Sequence, residues 1–182
     1  MAHEVLLLGN PILRERSIEV TDFEDWETRR DVEALHEALA DFRRTQGFGR
    51  GIAAIQIGIA RRLIALDLGK GSFLVANPRI TWRSVETFTL WDDCMSFPDL
   101  VARVRRHRSI SLEYQDGTGR RHAWENLAQA ESELLQHEID HLDGILATDR
   151  ALDAGSIIYK SEYEKRRGHF RSQVDYGIGA AR

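Results

Sequence analysis

The chain has 182 residues, of which 42% are hydrophobic and 30% charged, enough for one domain with a substantial core and ordinary for a globular protein. A formal net charge of -4 argues against nucleic acid as the main partner, specific DNA binding included, and no apolar run approaches the ~20 residues that span a bilayer. One cysteine, Cys94, excludes an internal disulfide, and the opening Met1-Ala2-His3-Glu4 carries no basic region ahead of Val5–Leu8, so no secretory signal is expected and the compartment reads as cytoplasmic.

In chain order, Asn10-Pro11 signals a turn and residues 17–25 an irregular arm. Val32, Leu35, Leu39 and Phe42 recur at spacings of three and four, which predicts a helix from about Glu27 to Thr45, stopped by Gly47. Gly47-Phe48-Gly49-Arg50-Gly51 breaks regular structure. Strand-like runs follow at Arg62–Leu68, Gly71–Ala76, Ile80–Leu90 and Ser109–Tyr114, the last running into an Asp116-Gly117 turn. A second helix is expected over about Gln129–Asp143, with Gly144 at its end. Ile157-Ile158-Tyr159 fits strand or helix, and residues 166–182 read as a flexible tail. With no repeat or linker, the reading is one α+β domain over 1–182, small mixed or antiparallel sheets packed around the second helix.

The chemistry lies on that second helix. Residues 137–141 read His-Glu-Ile-Asp-His, and positions i and i+4 of a helix lie one above the other, so His137 and His141 present two imidazoles to one point. Two imidazoles on one helix face suit a divalent metal, and Glu138 beside them suits proton transfer to and from a water. Cys94, in Trp91-Asp92-Asp93-Cys94-Met95-Ser96-Phe97-Pro98, follows an extended run and is the candidate third ligand, the alternative being an inert buried thiol. Three protein ligands leave a fourth position open, the layout of a catalytic rather than a structural site. A thiolate with two imidazoles suits ferrous iron, zinc, nickel or cobalt.

A third segment reads Gly49-Arg50-Gly51-Ile52-Ala53-Ala54-Ile55-Gln56-Ile57-Gly58. Together with the Cys94 segment and Gln136-His137-Glu138-Ile139-Asp140-His141-Leu142, in this order, it resembles the peptide deformylases from about residue 5 to Arg150. That family carries Gly-x-Gly-Leu-Ala-Ala-x-Gln, Glu-Gly-Cys-Leu-Ser and Gln-His-Glu-x-Asp-His-Leu segments. Val5–Arg14 is similar to its N-terminal strand, and Pro98 with Val104-Arg105-Arg106 fits the stretch after the cysteine. The resemblance implies a metal-dependent hydrolase, with ferrous iron the expected native ion, that removes formyl from N-formylmethionyl peptides. It further implies Glu138 as general base and acid, the Gln56 side chain and the Met95 backbone N–H as oxyanion donors, and substrate added as a strand along Gly49–Ile52.

Three departures stand out. Asp92-Asp93 replaces Glu-Gly, which puts an acid where a glycine's φ is available and makes the pocket more negative. Glu133, with Leu134 and Ala130, shares the face of His137, and Arg50 lies between Gly49 and Gly51; both stand where the family is mostly apolar around its methionine pocket. Arg50 and Glu133 are therefore expected to pair at the pocket wall, and to alter specificity. Ile55 replaces a common proline.

The alternatives are a deformylase-fold hydrolase of another formamide or small N-acyl substrate, an inactive metal-binding relative, and a zincin-type endopeptidase with Glu162 or Glu164 as third ligand. The basic residues Lys160, Lys165, Arg166, Arg167 and Arg171 are compatible with transient contact with the ribosome.

Overall fold

The computed structural model describes residues 4–178; positions 1–3 and 179–182, including the two ends of the expected domain and the last residues of the expected tail, lie outside it. Helix α1 spans Trp26–Gln46: the Asp25 carboxylate accepts from the Thr28 N–H at 3.0 Å to open it, and Gly47 closes it in the left-handed conformation at φ 73°. Strands β1 (Gly51–Ala53), β2 (Leu63–Asp67), β3 (Ser72–Arg83), β6 (Ile110–Gln115) and β7 (Arg121–Trp124) form one antiparallel sheet in the order β1-β2-β3-β6-β7. Strands β4 (Thr87–Asp93), β5 (Leu100–His107) and β8 (Ile157–Tyr159) form a second, in the order β4-β5-β8. Helix α2 spans Gln129–Leu142, and the short helices α3 (Lys160–Lys165) and α4 (Arg167–Arg171) follow β8.

Strand β2 shows why the first sheet takes helices on both faces. Its run Leu63-Ile64-Ala65-Leu66 is fully buried, with Ile64 and Leu66 packed toward Leu135, Ile139 and Leu142 of α2 and with Leu63 and Ala65 packed toward Leu35 and Leu39 of α1. Alternate side chains point to opposite faces, so a strand covered on both sides reads as a continuous apolar run. Against the second sheet, α2 is pinned by polar bonds: the Gln136 amide accepts from the His107 N–H and donates to the His107 carbonyl, each at 2.9 Å.

Several expectations need correction. The two runs Gly71–Ala76 and Ile80–Leu90 are one long strand, β3, which ends at Arg83 and passes Asn77-Pro78 by a register shift, followed by a separate β4. Val5–Leu7 forms no strand and pairs in neither sheet, and a turn begins at Leu8; the Leu6 N–H donates to the Gln56 carbonyl and the Leu8 N–H to the Ser96 carbonyl, both at 2.7 Å, and Pro11–Arg14 is a 3-10 turn. The segment read as a flexible tail is packed through Ile178. The Trp91 indole N–H donates to the Phe170 carbonyl at 2.9 Å, the Asp175 carboxylate accepts from the Thr89 N–H at 3.0 Å, and the Tyr176 ring meets Phe88 edge-on at 5.3 Å.

Candidate metal centre

Strand β4 ends at Asp93, which delivers Cys94 beside the helix face that carries His137 and His141. The three side chains are buried together: Cys94 Sγ lies 3.2 Å from His141 Nε2, and the two Nε2 atoms lie 3.1 Å apart. His137 Nδ1 faces the Asp92 carboxylate at 2.9 Å, which fixes the proton on Nδ1 and leaves Nε2 a lone pair aimed at the cluster. His141 Nδ1 is buried without a protein partner. One soft sulfur and two imidazole nitrogens converging on one point fit a borderline divalent ion. Glu162 and Glu164 are not in this group among the described residues, so the endopeptidase ligand set is not assembled.

Glu138 is 4% exposed, and its Oε2 is a buried acceptor without a partner. Burial pushes its carboxyl up to about 7, against the opposing pull of His137. The Gly51 backbone is close against it: a Cβ there would lie 3.0 Å from Glu138 Oε1. Gln56 is held by its own turn, its Oε1 accepting from the Ala53 N–H at 2.9 Å; its Nε2 donates to Ser96 Oγ at 3.1 Å and points at Cys94 Sγ from 3.6 Å. Met95 is buried with its side chain under Gly49, where a Cβ would meet the Met95 methyl.

Cys94, His137, Glu138, Gln56 and Met95 border one cavity of about 530 Å³, lined also by Gly49, Asp93, Leu134, Lys160 and Tyr163. Arg50 and Glu133 meet there as an ion pair, and Arg50 also donates to the Ala130 carbonyl at 3.1 Å. Burial pushes the Glu133 carboxyl up to about 7, against the guanidinium that holds it down.

Three residues expected at the substrate site are placed as follows. The Asp92 carboxylate borders the cavity but is engaged by His137 and, at 3.2 Å, by Arg106, so its hydrogen bonds orient a ligand. Burial pushes that carboxyl up, but His137 and Arg106 outweigh it and hold it at about 2. Asp93 is the last residue of β4 and needs no left-handed backbone; its side chain does border the cavity, 3.8 Å from Lys160. The Ile52 side chain is fully buried toward α1, which leaves only its backbone to meet a substrate.

Sequence reasoning missed Arg106, 4% exposed, which bridges Asp92 and Asp140. It also missed Tyr176, Gly177 and Ile178, which line the cavity from the C-terminal segment. The aromatic residues Tyr163, Phe170 and Tyr176 in an otherwise polar stretch were the available signal.

A Cys-His-His centre with an adjacent buried carboxylate, set in a cleft between a strand edge and a helix, defines a mononuclear metallo-hydrolase. Residues 2–155 match the family described as polypeptide deformylase, and the chain belongs to that family. It is 31% identical over 160 residues to the peptide deformylase of Thermotoga maritima, covering 88% of this chain and 93% of that protein. It is 37% identical over 153 residues to that of Rhizobium meliloti, covering 80% and 82%. The Thermotoga maritima crystal structure superposes with a TM-score of 0.76 at 32% identity, over 84% of this chain and 99% of that one. Among the described residues no helix is long and apolar enough to cross a membrane.

Proposed function

We infer that this chain removes the formyl group from N-formylmethionyl peptides by metal-assisted hydrolysis. The observation that carries the reading is the convergence of Cys94, His137 and His141 beside the unpartnered Oε2 of Glu138. Cys94, His137 and His141 would hold a divalent ion, which would supply Lewis-acid charge and lower the pKa of a water in the site. Glu138 takes the proton from that water and returns it to the leaving amine, and burial keeps its basicity suited to both transfers. Gln56 Nε2 spends one N–H on Ser96 Oγ at 3.1 Å; its second, only weakly engaged with Cys94 Sγ at 3.6 Å, is the side-chain donor for the developing oxyanion, with the Met95 N–H as its backbone partner. β1 lies at the end of its sheet, so its outer edge is open to peptide backbone along Gly49–Ile52.

Ferrous iron is the proposed native ion, a choice that rests on the family likeness, since the donor set also suits zinc, nickel and cobalt. The proposed setting is the cytoplasm, on nascent chains. Transient ribosome contact would fall to the exposed Arg166, Arg167 and Arg171, because Lys165 is paired with Glu162 and Lys160 lies over the Phe48 ring.

Protein prepared and loaded with iron without oxygen, then offered formyl-Met and acetyl-Met peptides, tests the reading. Formate release from the formyl peptide, lost in Cys94→Ala together with the metal, is the expected result. No formate from any formyl peptide at full metal loading would overturn it.

A further inference from the structure

Arg50, Glu133 and Tyr176 reach the same end of the cavity from three separate elements: the turn before β1, the first turns of α2 and the C-terminal segment. We propose that these three side chains form a polar pocket for the first side chain of the substrate, the one on the formylated residue. This deformylase then takes N-formyl peptides whose first residue ends in a neutral hydrogen-bonding group, such as glutamine or asparagine, at least as well as formyl-methionyl peptides. The proposal rests on the deformylase reading above and concerns the selectivity of the same site.

The position follows from the geometry around Glu138. The Gly51 backbone abuts the Glu138 carboxylate, and Arg50 is the preceding residue. Glu133 lies one helical turn before His137 and so projects from the same face of α2. A leaving amine that receives its proton from Glu138 therefore carries its side chain into the space between Gly49–Gly51 and that face, where Arg50 and Glu133 meet.

The chemistry of the wall then selects the side chain. The pair is largely withdrawn from water, with side chains 18% and 2% exposed. Glu133 takes its hydrogen bond from Arg50 on Oε1, and a carboxylate can accept several more. The Tyr176 ring is fixed against Phe88 and its N–H against the Thr89 carbonyl, so the phenol is held at the cavity. Burial, and after it the Glu133 carboxylate, pushes that phenol up, which keeps it a neutral donor. A primary amide supplies both donors and an acceptor to such a wall; a thioether supplies no donor and only a weak acceptor, and leaves buried polar groups unpaired. Arg50 and Glu133 already balance each other, so the pair offers a charged side chain no unpaired counter-ion. Tyr176 lies beyond residue 155, where the family match ends, so this part of the wall comes from outside the matched region.

The test measures kcat/KM on formyl-Xaa-Ala-Ser peptides with Xaa methionine, norleucine, glutamine or glycine. It uses metal-loaded wild type, Arg50→Val/Glu133→Ile, the swapped pair Arg50→Glu/Glu133→Arg, and Tyr176→Phe. The readout is the glutamine-to-methionine ratio within each protein, which cancels any change in the folded or metal-loaded fraction. The wild-type ratio is expected at or above one. In Arg50→Val/Glu133→Ile it should fall roughly ten- to a hundredfold, the discrimination that a small change in a side-chain pocket brings. Tyr176→Phe should lower it severalfold, and the swapped pair should stay nearer to wild type than the apolar double variant does. A wild-type preference for methionine of tenfold or more, or an apolar double variant with the wild-type ratio, would overturn the pocket while formyl-Gly turnover leaves the deformylase reading standing. No turnover of any of the four peptides would overturn both.

Discussion

The Asp92 carboxylate lies 2.9 Å from His137 Nδ1 and 3.2 Å from Arg106, and the Arg106 guanidinium bonds in turn to Asp140, on the same helix as His137. The metal helix is thus tied to the second sheet by a buried run of alternating charge, and the imidazole is oriented by a residue two before the cysteine ligand. Such outer partners hold a ligand's tautomer and angle.

Removing the middle of that run should cost stability. Arg106→Leu takes the guanidinium away from the buried Asp92 carboxylate and leaves Asp140 with the more exposed Arg150 alone, and a broken buried pair typically costs about 3–5 kcal/mol. Urea unfolding of the metal-loaded protein should show the midpoint lowered accordingly; a loss below ~1 kcal/mol would mean that water already reaches these carboxylates.

Glu138→Ala should keep the metal and lose turnover by several orders of magnitude, because proton transfer to and from the water and the leaving amine both fall to this carboxylate. Metal content beside single-turnover rates distinguishes this from site collapse. Near-normal rates would remove Glu138 from the role.

Gly51→Ala tests the same carboxylate by pressure. The new methyl would sit 2.9 Å from Leu66 Cδ2 and 3.0 Å from Glu138 Oε1, and the carboxylate is the softer neighbour. A displacement of this kind at a reacting group typically costs about a hundredfold. The expected result is a lower kcat with unchanged metal content.

Chelation should lower the thermal midpoint as well as abolish turnover. A ligand that binds only the folded chain adds about 2.7 kcal/mol at a hundred times its Kd. Calorimetry before and after chelation should show the drop, and Cys94→Ala should show a much smaller one, since the three-ligand set is then incomplete.

The β6–β7 hairpin carries a pH signature. Asp116 accepts from the Thr118 hydroxyl, from His122 and from the Thr118 and Arg120 N–H groups, and these bonds hold its carboxyl below the ordinary aspartate range. A depressed folded-state value means stability present above an unfolded pKa of about 4 and lost as pH falls through the folded value. The thermal midpoint of wild type should exceed that of Asp116→Asn at pH 7, and the difference should shrink progressively below pH ~4. A difference that persists at pH 2 would argue against the charge-dependent bonds.

How far the sequence could be read depended on where the charges lie. Helices α1 and α2 were legible because periodic leucines and a closing glycine agree, and the site because His137, His141 and Glu138 are local to one helix. Strand β5 was not, because Arg103, Arg105 and Arg106 interrupt its apolar pattern, and a buried arginine makes sense only once Asp92 and Asp140 are beside it. The runs expected at Gly71–Ala76 and Ile80–Leu90 left Asn77-Pro78 between two strands. In the fold Asn77 does take a positive φ of 48°, but its side chain bonds to the Val20 backbone and the strand resumes. The packing of residues 166–178 is a tertiary matter: the aromatic side chains needed Trp91 and Phe88 to rest on.

The grip of residues 175 and 176 on Thr89 has a consequence for solubility. β4 is the outermost strand of its sheet, and an unprotected outer strand is a template on which a second copy can pair. The carboxylate of Asp175 and the two backbone N–H groups that meet the Thr89 carbonyl occupy those bonding positions from within the chain. A chain ending at Ser172 would present β4 uncovered, with Phe88 no longer shielded by Tyr176, and light scattering should find it associating at concentrations where the full chain stays dispersed. The same short segment that walls the cavity thus also keeps neighbouring molecules apart.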